Sequence, residues 1–155
     1  MSNRLGVFID LSNLYYCVGK RYRRKVDYRK YMSFLADLGS VALATAYGAQ
    51  IKNEACQFIE ALHKAGIKHK YKQPKTFANG VRKADWDIGI CIDIIESMQE
   101  WDTLVLGSAD SDMLPLAEHI HKAGKKIIFF ATGIAKELHQ YPCIEIPESV
   151  LEESL

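Results

Sequence analysis

Continuous apolar runs and amphipathic stretches alternate along the chain. The apolar runs predict strands over residues 4–9, 40–50, 67–71, 102–107, 125–131 and 143–147. Apolar residues at helical spacing predict helices over residues 53–66, 85–100 and 112–124. Strands that are apolar throughout and separated by helices are typical of a parallel sheet covered on both faces. The pattern therefore predicts a three-layer, Rossmann-like α/β fold with a central, mainly parallel sheet and helices on both faces.

The segments between these elements indicate the extent of the domain. Residues 74–83 contain Pro, Asn and Gly and predict a loop, and residues 148–155 predict a frayed, acidic C-terminal tail. No linker or repeat divides residues 1–147, so we expect a single domain there. In the predicted helix at 85–100, we expect the core to contact three isoleucines: Ile88, Ile92 and Ile95.

Composition adds two expectations. Hydrophobic residues make up 48% of the 155 residues, which is enough to bury a core. No run approaches the roughly 18 unbroken apolar residues of a membrane span, and no long apolar signal segment is found at the start. We therefore expect a cytoplasmic protein.

The formal net charge of +1 conceals a segregated charge pattern. Residues 20–30 hold seven Lys or Arg and one Asp, and residues 68–83 hold six Lys or Arg and no acid. Residues 84–112 hold eight Asp or Glu and no Lys or Arg. Basic segments that flank a group of acids favour an anionic polymer as the partner.

Carboxylates follow two of the predicted strands. Asp10 ends the first strand, and Asp110 and Asp112 follow the strand at 102–107. Because ligands bind beyond the carboxyl ends of parallel strands, these acids converge if the two strands are neighbours. Converging carboxylates repel one another, and a hard divalent cation such as Mg²⁺ or Mn²⁺ relieves that repulsion. The sequence therefore indicates a candidate metal site.

Some of these polar residues also have a purely structural interpretation, whereas Asp10, which ends an apolar strand, has no obvious one. Asp85 and Asp87 open the second predicted helix, which can bring one of them to the same edge of the sheet, but Asp85 is equally suited to cap that helix. Asp112 is likewise either a metal ligand or a helix cap. Asn13 either caps the helix that follows it or orients Asp10.

Three motifs that contain these acids occur in order along the chain. They are VFIDLSN (7–13), KADWDIGICIDII (83–95) and LVLGSADSDMLPLAEHIHKAGKKIIFFA (104–131). Together they resemble the NYN-domain branch of the PIN-like nuclease superfamily, in particular its LabA-like members. The resemblance implies a PIN-like α/β fold and a ribonuclease site that uses Mg²⁺ or Mn²⁺.

The resemblance also assigns roles to individual residues. It implies that the catalytic and metal-binding residues are Asp10, Asp87, Asp110 and Asp112. Supporting roles are expected for Asn13, Ser108 and Ser111, although serines are also common in turns. The family usually has glycine where Leu11 and Ala109 stand, and alanine fits easily at 109 only if its φ is negative.

The implied reaction is the hydrolysis of RNA phosphodiester bonds. Water activated by one or two divalent ions attacks the phosphorus and leaves a 5′-phosphate. The RNA would be bound by cationic side chains of the two basic segments, namely Lys20, Arg21, Arg23, Arg24, Lys25, Lys70, Lys72, Lys75, Arg82 and Lys83. Tyr22, Tyr71 and Phe77 lie among them and are candidates for stacking on unpaired bases.

Three other classes of protein are alternatives. A Rossmann-like metal-dependent phosphatase with an aspartyl nucleophile usually has a second acid two residues later, and here Ser12 follows Asp10 at that position. A non-catalytic PIN-like module would bind RNA or a protein partner, alone or as a homodimer. A receiver-like domain needs an Asp at the end of its third strand, and residues 67–71 contain none.

Overall fold

Eight strands and five helices occur in the part of the chain that the computed structural model describes, which comprises residues 3–49, 55–72, 75–76, 78, 82–83 and 86–153. The strands are β1 (Arg4–Asp10), β2 (Ser40–Ala49), β3 (Lys68–Lys72), β4 (Lys75–Thr76), β5 (Arg82–Lys83), β6 (Thr103–Gly107), β7 (Lys126–Ala131) and β8 (Cys143–Glu145). The helices are α1 (Leu11–Tyr22), α2 (Tyr28–Leu35), α3 (Ala55–Lys64), α4 (Asp87–Glu96) and α5 (Leu114–Lys122). Short 3-10 turns lie at Met98–Glu100, Ser111–Met113, Lys136–Leu138 and Glu148–Val150.

Six of the strands form one parallel sheet in the order β3-β2-β1-β6-β7-β8. Strands β1 and β6 are neighbours, with Val7 opposite Val105. The end of β1 and the residues after β6 therefore meet at one edge of the sheet, called here the carboxyl edge. This topology confirms the predicted three-layer α/β fold and brings together the acids that follow the two strands.

The central strands form the core because they are apolar on both faces. Every residue of β6 is buried, and so are residues 5–9 of β1. Tyr31 of α2 stacks on Phe130 of β7 with ring centroids 4.3 Å apart. The Tyr31 hydroxyl also donates a hydrogen bond of 2.9 Å to the Phe130 carbonyl, so α2 is fixed to the sheet by packing and by a buried polar contact.

The sequence-based prediction does not contain α2 and mentions a helix beside Asn13 only without bounds, because the charges of residues 20–30 conceal the helical spacing. Leu11, Leu14 and Val18 are the buried residues of α1. Tyr31 and Leu35 are the buried residues of α2. Both spacings place the apolar side chains on one side of a helix, and the cations occupy the opposite side.

The orientation predicted for α4 is wrong. Ile88 is 78% exposed, and Ile92 and Ile95 are 49% and 44% exposed, whereas Ile90 and Ile94 are buried. The helix is rotated because polar groups on its other side bind the sheet. Asp93 accepts a hydrogen bond of 2.8 Å from the buried Tyr47 hydroxyl, and this contact lies on the side of Ile90 and Ile94.

Two predicted irregular segments contain regular structure. The predicted loop at 74–83 includes β4 and β5, which pair antiparallel with Lys75 opposite Lys83 and Thr76 opposite Arg82. These four residues, which the sequence predicted to lie in a loop, therefore form a short antiparallel pair of strands.

The predicted frayed tail is also ordered as far as residue 153. Val150 and Leu151 are buried, and Leu151 forms an antiparallel bridge with Val26. The Glu152 N–H donates to the Lys25 carbonyl at 2.8 Å. The acids of residues 148–155 predicted an exposed tail. The apolar residues Val150 and Leu151 are instead buried, and this burial holds the segment against the fold. Within the described ranges, no helix has the length and apolarity that crossing a membrane requires.

Candidate metal centre

Three carboxylates meet at the carboxyl edge. Asp87, Asp110 and Asp112 each place one oxygen within 4.8 Å of the other two. Asp87 is the first residue of α4, Asp110 lies in the loop after β6, and Asp112 lies in the following 3-10 turn. Asp87 and Asp110 are half-buried and Asp112 is exposed. We call these three residues the acidic cluster.

Asp110 shapes the turn that carries its neighbour. It is the N-cap of the 3-10 turn, and its Oδ1 accepts the Asp112 N–H at 2.9 Å. The Asp110 N–H in turn donates to Oγ of the buried Ser108 at 3.3 Å. Asp112 was expected to be either a metal ligand or a helix cap. In the structure, the residue that caps this turn is Asp110 and not Asp112.

Alanine is compatible with the backbone of this loop. Among the described residues, Arg23 is the only non-glycine with positive φ, so Ala109 lies in an ordinary region of backbone conformation. Its side chain is buried, and its carbonyl accepts the Ala135 N–H at 3.0 Å. The departure from the glycine that is usual in the family therefore causes no backbone strain.

Trp86 and Asp93 hold α4 in the position that brings Asp87 to the other two acids of the acidic cluster. The Trp86 indole N–H donates to the Gly48 carbonyl at 2.9 Å, and its ring lies 5.2 Å from the Tyr47 ring. About two turns further along, Asp93 accepts hydrogen bonds from the Tyr47 hydroxyl at 2.8 Å and from Lys70 Nζ at 2.7 Å. These contacts fix the start of α4 above the ends of β2 and β3.

The environment of Asp93 favours its charged form. Burial opposes ionisation of this carboxyl, but the hydrogen bonds from Lys70 and Tyr47 outweigh that effect, and the net result is a lowered pKa. Burial and the hydrogen bond to Asp93 raise the pKa of the Tyr47 hydroxyl, which therefore stays protonated as a donor. Asp93 is thus engaged in structure, and Lys70, an expected RNA contact, forms an ion pair with it.

Asp10 and Asn13 connect β1 to the loop that carries Asp110. Asp10 caps α1, with its Oδ1 accepting the Asn13 N–H at 3.1 Å. The Asn13 side-chain oxygen accepts the Ala109 N–H at 2.9 Å. Asn13 was expected either to cap the following helix or to orient Asp10. Neither alternative included the contact of its side chain with Ala109, which joins α1 to a loop far away in sequence.

Asp10 lies close to the acidic cluster but outside it, since the three acids within 4.8 Å of one another do not include it. Burial raises the pKa of the Cys17 thiol, the Lys20 charge lowers it, and the charges of Asp10, Asp110 and Glu145 raise it, with a net increase. Asp10 ends β1 and Asp110 follows the neighbouring strand β6, so the two acids lie at the same edge of the sheet.

Glu145 is a residue of this edge that the sequence analysis missed. Its two oxygens accept the N–H groups of Gly133 and Ile134 at 2.9 and 3.2 Å, and Arg21 lies 3.4 Å away. Gly133 has a φ of 67°, a left-handed conformation that suits glycine and turns both N–H groups to the same side. The available signal in the sequence was that Glu145 is an acid within the last predicted strand, at 143–147.

The donor set suits a hard divalent cation. Three carboxylates at this spacing repel one another, and carboxylate oxygens together with water are the ligands that Mg²⁺ and Mn²⁺ prefer. Ser108 is engaged by the Asp110 backbone and supports the loop, whereas Ser111 is exposed beside the cluster. Asp87, Asp110 and Asp112 can therefore hold such a cation, with Asp10 nearby.

The predicted RNA contacts have different surroundings. Lys20, Arg23 and Lys25 are exposed, Arg21 pairs with Glu145, and the Arg24 side chain donates to the Glu152 carbonyl at 2.9 Å. The remaining basic candidates lie in strands β3, β4 and β5: Lys72, Lys75, Arg82 and Lys83.

The stacking candidates also differ. The Tyr22 hydroxyl donates to the Ile146 carbonyl at 3.2 Å and its ring packs against the core, so it is a packing residue. Tyr71 is half-exposed and stacks on His69 at 5.5 Å. Phe77 and Asp85 lie outside the described residues.

Comparisons with known proteins identify the family of this chain. The family model for the NYN domain matches residues 4–144, which include the whole acidic cluster. The low amplitude and bright protein LabA of Synechococcus elongatus is 30% identical over 147 residues, covering 88% of this chain and 78% of LabA. A crystal structure of a Vibrio parahaemolyticus protein of unknown function superposes with a TM-score of 0.88 at 25% identity, covering 97% of each chain. The chain therefore belongs to the NYN-domain family, among its LabA-like members in the PIN-like nuclease superfamily.

Proposed function

We propose that this protein is a metal-dependent ribonuclease that hydrolyses RNA phosphodiester bonds at the acidic cluster. The observation that carries the proposal is the approach of Asp87, Asp110 and Asp112 to within 4.8 Å of one another. Membership of a family in the PIN-like nuclease superfamily supports the reaction class. The basic residues at the end of α1 support a polyanionic substrate.

Mg²⁺ or Mn²⁺ fits these donors. Asp87, Asp110 and Asp112 would hold the ion, and Asp10 is positioned to complete the site or to serve a second ion. When bound, such an ion would lower the pKa of a coordinated water molecule and neutralise charge that develops on the phosphate oxygens. Water would attack the phosphorus while the bond to the 3′-oxygen breaks, which needs no ribose 2′-hydroxyl and leaves a 3′-hydroxyl on one product and a 5′-phosphate on the other.

The chain's own residues prepare the geometry of this reaction. Asp110 fixes Asp112 through the cap of its turn, and Ser108 fixes Asp110 from below. Asn13 ties this turn to α1 through the Ala109 N–H. The carboxylates are thus held before substrate arrives, which is the condition for electrostatic stabilisation of a transition state.

The test is cleavage of a labelled single-stranded RNA in Mg²⁺ or Mn²⁺, with EDTA as the metal-free control. Asp87→Asn and Asp110→Asn should each lower the rate more than about 100-fold, since residues that merely orient metal ligands already contribute about 10- to 100-fold. Asp37→Asn is the matched control, because Asp37 is exposed in the turn after α2. It should cleave like the wild type, with 5′-phosphate ends on the products.

Other results would contradict the proposal. Cleavage that persists in EDTA, or an Asp110→Asn variant as active as the wild type, would exclude a metal nuclease at the acidic cluster. RNA binding without cleavage would favour the non-catalytic module. Release of phosphate from a small phosphomonoester, with RNA left intact, would favour the phosphatase.

A further inference from the structure

The outer face of α1 displays two aromatic rings. Tyr15 is 68% exposed and Tyr16 is 66% exposed, while Leu11, Leu14 and Val18 bury the opposite face. Tyrosine usually packs much of its ring when a fold offers contacts, because ring burial is strongly favourable. Two adjacent exposed tyrosines therefore make this face suited to a ligand that stacks.

Cations adjoin the same face. Lys20 Nζ lies 6.0 Å from the centroid of the Tyr16 ring, and Arg23 follows one turn later with an exposed side chain. Lys20 and Arg21 lie in the last turn of α1. A ligand that has flat rings and regularly spaced negative charges complements this combination, and a single-stranded nucleic acid has both.

The side of this face that holds Tyr16 and Lys20 leads to the acidic cluster, because both residues follow Asn13 at helical spacing. Helix α1 starts directly after Asp10, and Asn13 in its first turn contacts the loop that carries Asp110. At about 1.5 Å of rise per residue, Tyr15 lies about 7.5 Å along the helix axis from Asp10. That distance corresponds to about two nucleotides of a stacked strand, each with a rise of about 3.4 Å.

We propose that Tyr15 and Tyr16 stack on unpaired bases of the RNA next to the bond that is cleaved, and that Lys20, which shares the side of Tyr16, binds a phosphate beside the base on that ring. The inference rests on the proposed ribonuclease function and adds the residues that contact the bases of the RNA. Successive residues on a helix point about 100° apart, so the two rings hold bases that are splayed from each other. A duplex cannot present its bases in this way, and the face therefore selects single-stranded RNA.

Binding without cleavage tests the proposal directly. A fluorescein-labelled ten-nucleotide RNA and the same strand with four central abasic positions are titrated in EDTA, and binding is followed by anisotropy. The wild type should bind the base-bearing strand about 5- to 100-fold more tightly than the abasic strand, the contribution expected of one stacked base. Ionic contacts with phosphates are the same in both strands and cancel in this ratio.

Variants identify the residues responsible. The double variant Tyr15→Leu/Tyr16→Leu should lose the preference and keep its affinity for the abasic strand, because leucine keeps the helix but removes the rings. Tyr15→Phe/Tyr16→Phe should retain the preference. Phe58→Leu, a control at a half-exposed aromatic on α3, should also retain it.

The outcomes separate this inference from the proposed function. A wild type without preference for bases, or a leucine double variant that keeps the preference, would overturn stacking on α1. If the preference depends on the tyrosines but wild-type protein cleaves no RNA in Mg²⁺ or Mn²⁺, the ribonuclease function alone fails. If cleavage proceeds with unchanged kcat and KM in the leucine double variant, stacking alone fails.

Discussion

At the scale of single residues, short polar side chains have both structural and chemical tasks. Asp110 caps the turn after β6 and also belongs to the acidic cluster. Asp10 caps α1 at the same edge. A cap prediction and a ligand prediction are therefore not exclusive at these positions, and the same hydrogen bonds that end or start an element hold the carboxylates in place.

Asp93 shows how a charged residue can position another. Its carboxylate does not join the acidic cluster, but its contacts with Tyr47 and Lys70 hold the helix that starts with Asp87. Asp87 and Asp93 are six residues apart, which is about 240° around a helix, so the sequence spacing alone does not place them on one face. The partner residues could not be inferred from that spacing, because they lie in two other strands.

Asp93 should make the fold sensitive to acid. Its pKa is lower in the folded protein than in the unfolded chain, so its contribution to stability is complete above the unfolded value of about 4 and fades as the pH falls through the folded value. Asp93→Asn should therefore be less stable than the wild type at pH 7, with a smaller gap at pH 3. Thermal unfolding at both pH values measures this gap.

The same comparison with Asp37→Asn provides the control, since no partner of that exposed carboxylate is found among the described residues. Its unfolding temperature should follow that of the wild type. A gap for Asp93→Asn that is the same at pH 3 and pH 7 would show that ionisation of Asp93 does not stabilise the fold.

At the scale of elements, α4 shows where an apolar pattern misleads. Ile88, Ile92 and Ile95 have helical spacing, yet Ile90 and Ile94 are the buried pair. Isoleucine occurs on all sides of this helix, so the pattern alone does not select one face. The choice comes from Trp86 and Asp93, whose hydrogen bonds to the sheet turn the other side of the helix inward.

The orientation of α4 can be tested by truncating one isoleucine on each side. Ile90→Ala should destabilise the protein by about 2–5 kcal/mol, because it leaves a cavity at a fully buried site. Ile92→Ala should cost about 1 kcal/mol or less, since half of that side chain is already in water. Urea unfolding gives both values, and a larger loss for Ile92→Ala would restore the orientation predicted from the sequence.

At the scale of the whole molecule, the six strands of the sheet and the helices α3, α4 and α5 could be predicted from the sequence, and the contacts across the carboxyl edge could not. Apolar strands separated by helices indicated the parallel sheet, and strand ends indicated Asp10 and Asp110. The contact of Asn13 with Ala109 and that of Glu145 with Gly133 join separate elements. No local pattern encodes such pairs, because they depend on strand order.

Metal binding should stabilise the whole fold. A cation that binds the native state alone adds about 2.7 kcal/mol at a concentration one hundred times its Kd. Mg²⁺ or Mn²⁺ should therefore raise the unfolding temperature of the wild type, and EDTA should reverse the change. Asp112→Asn should respond much less to metal, yet be at least as stable as the wild type in EDTA, because it removes repulsion within the cluster.

Calorimetry at several metal concentrations checks this expectation. Asp37→Asn again serves as the matched control and should gain as much stability from the metal as the wild type does. If Asp112→Asn and the wild type were stabilised equally, the ion would be bound elsewhere on the protein.

The position of β6 has a consequence for how the protein is made. This strand lies between β1 and β7, and it pairs residue 105 with residue 7. While the chain is being synthesised, one side of β1 therefore waits for a partner that is translated much later, and such distant pairing slows folding and leaves a strand edge open to aggregation. Because β6 also brings Asp110 and Asp112 to the edge, the acidic cluster forms only with that late insertion. An incomplete or partly folded chain therefore lacks the cluster, and the hydrolysis that we propose there would begin only once the sheet is assembled.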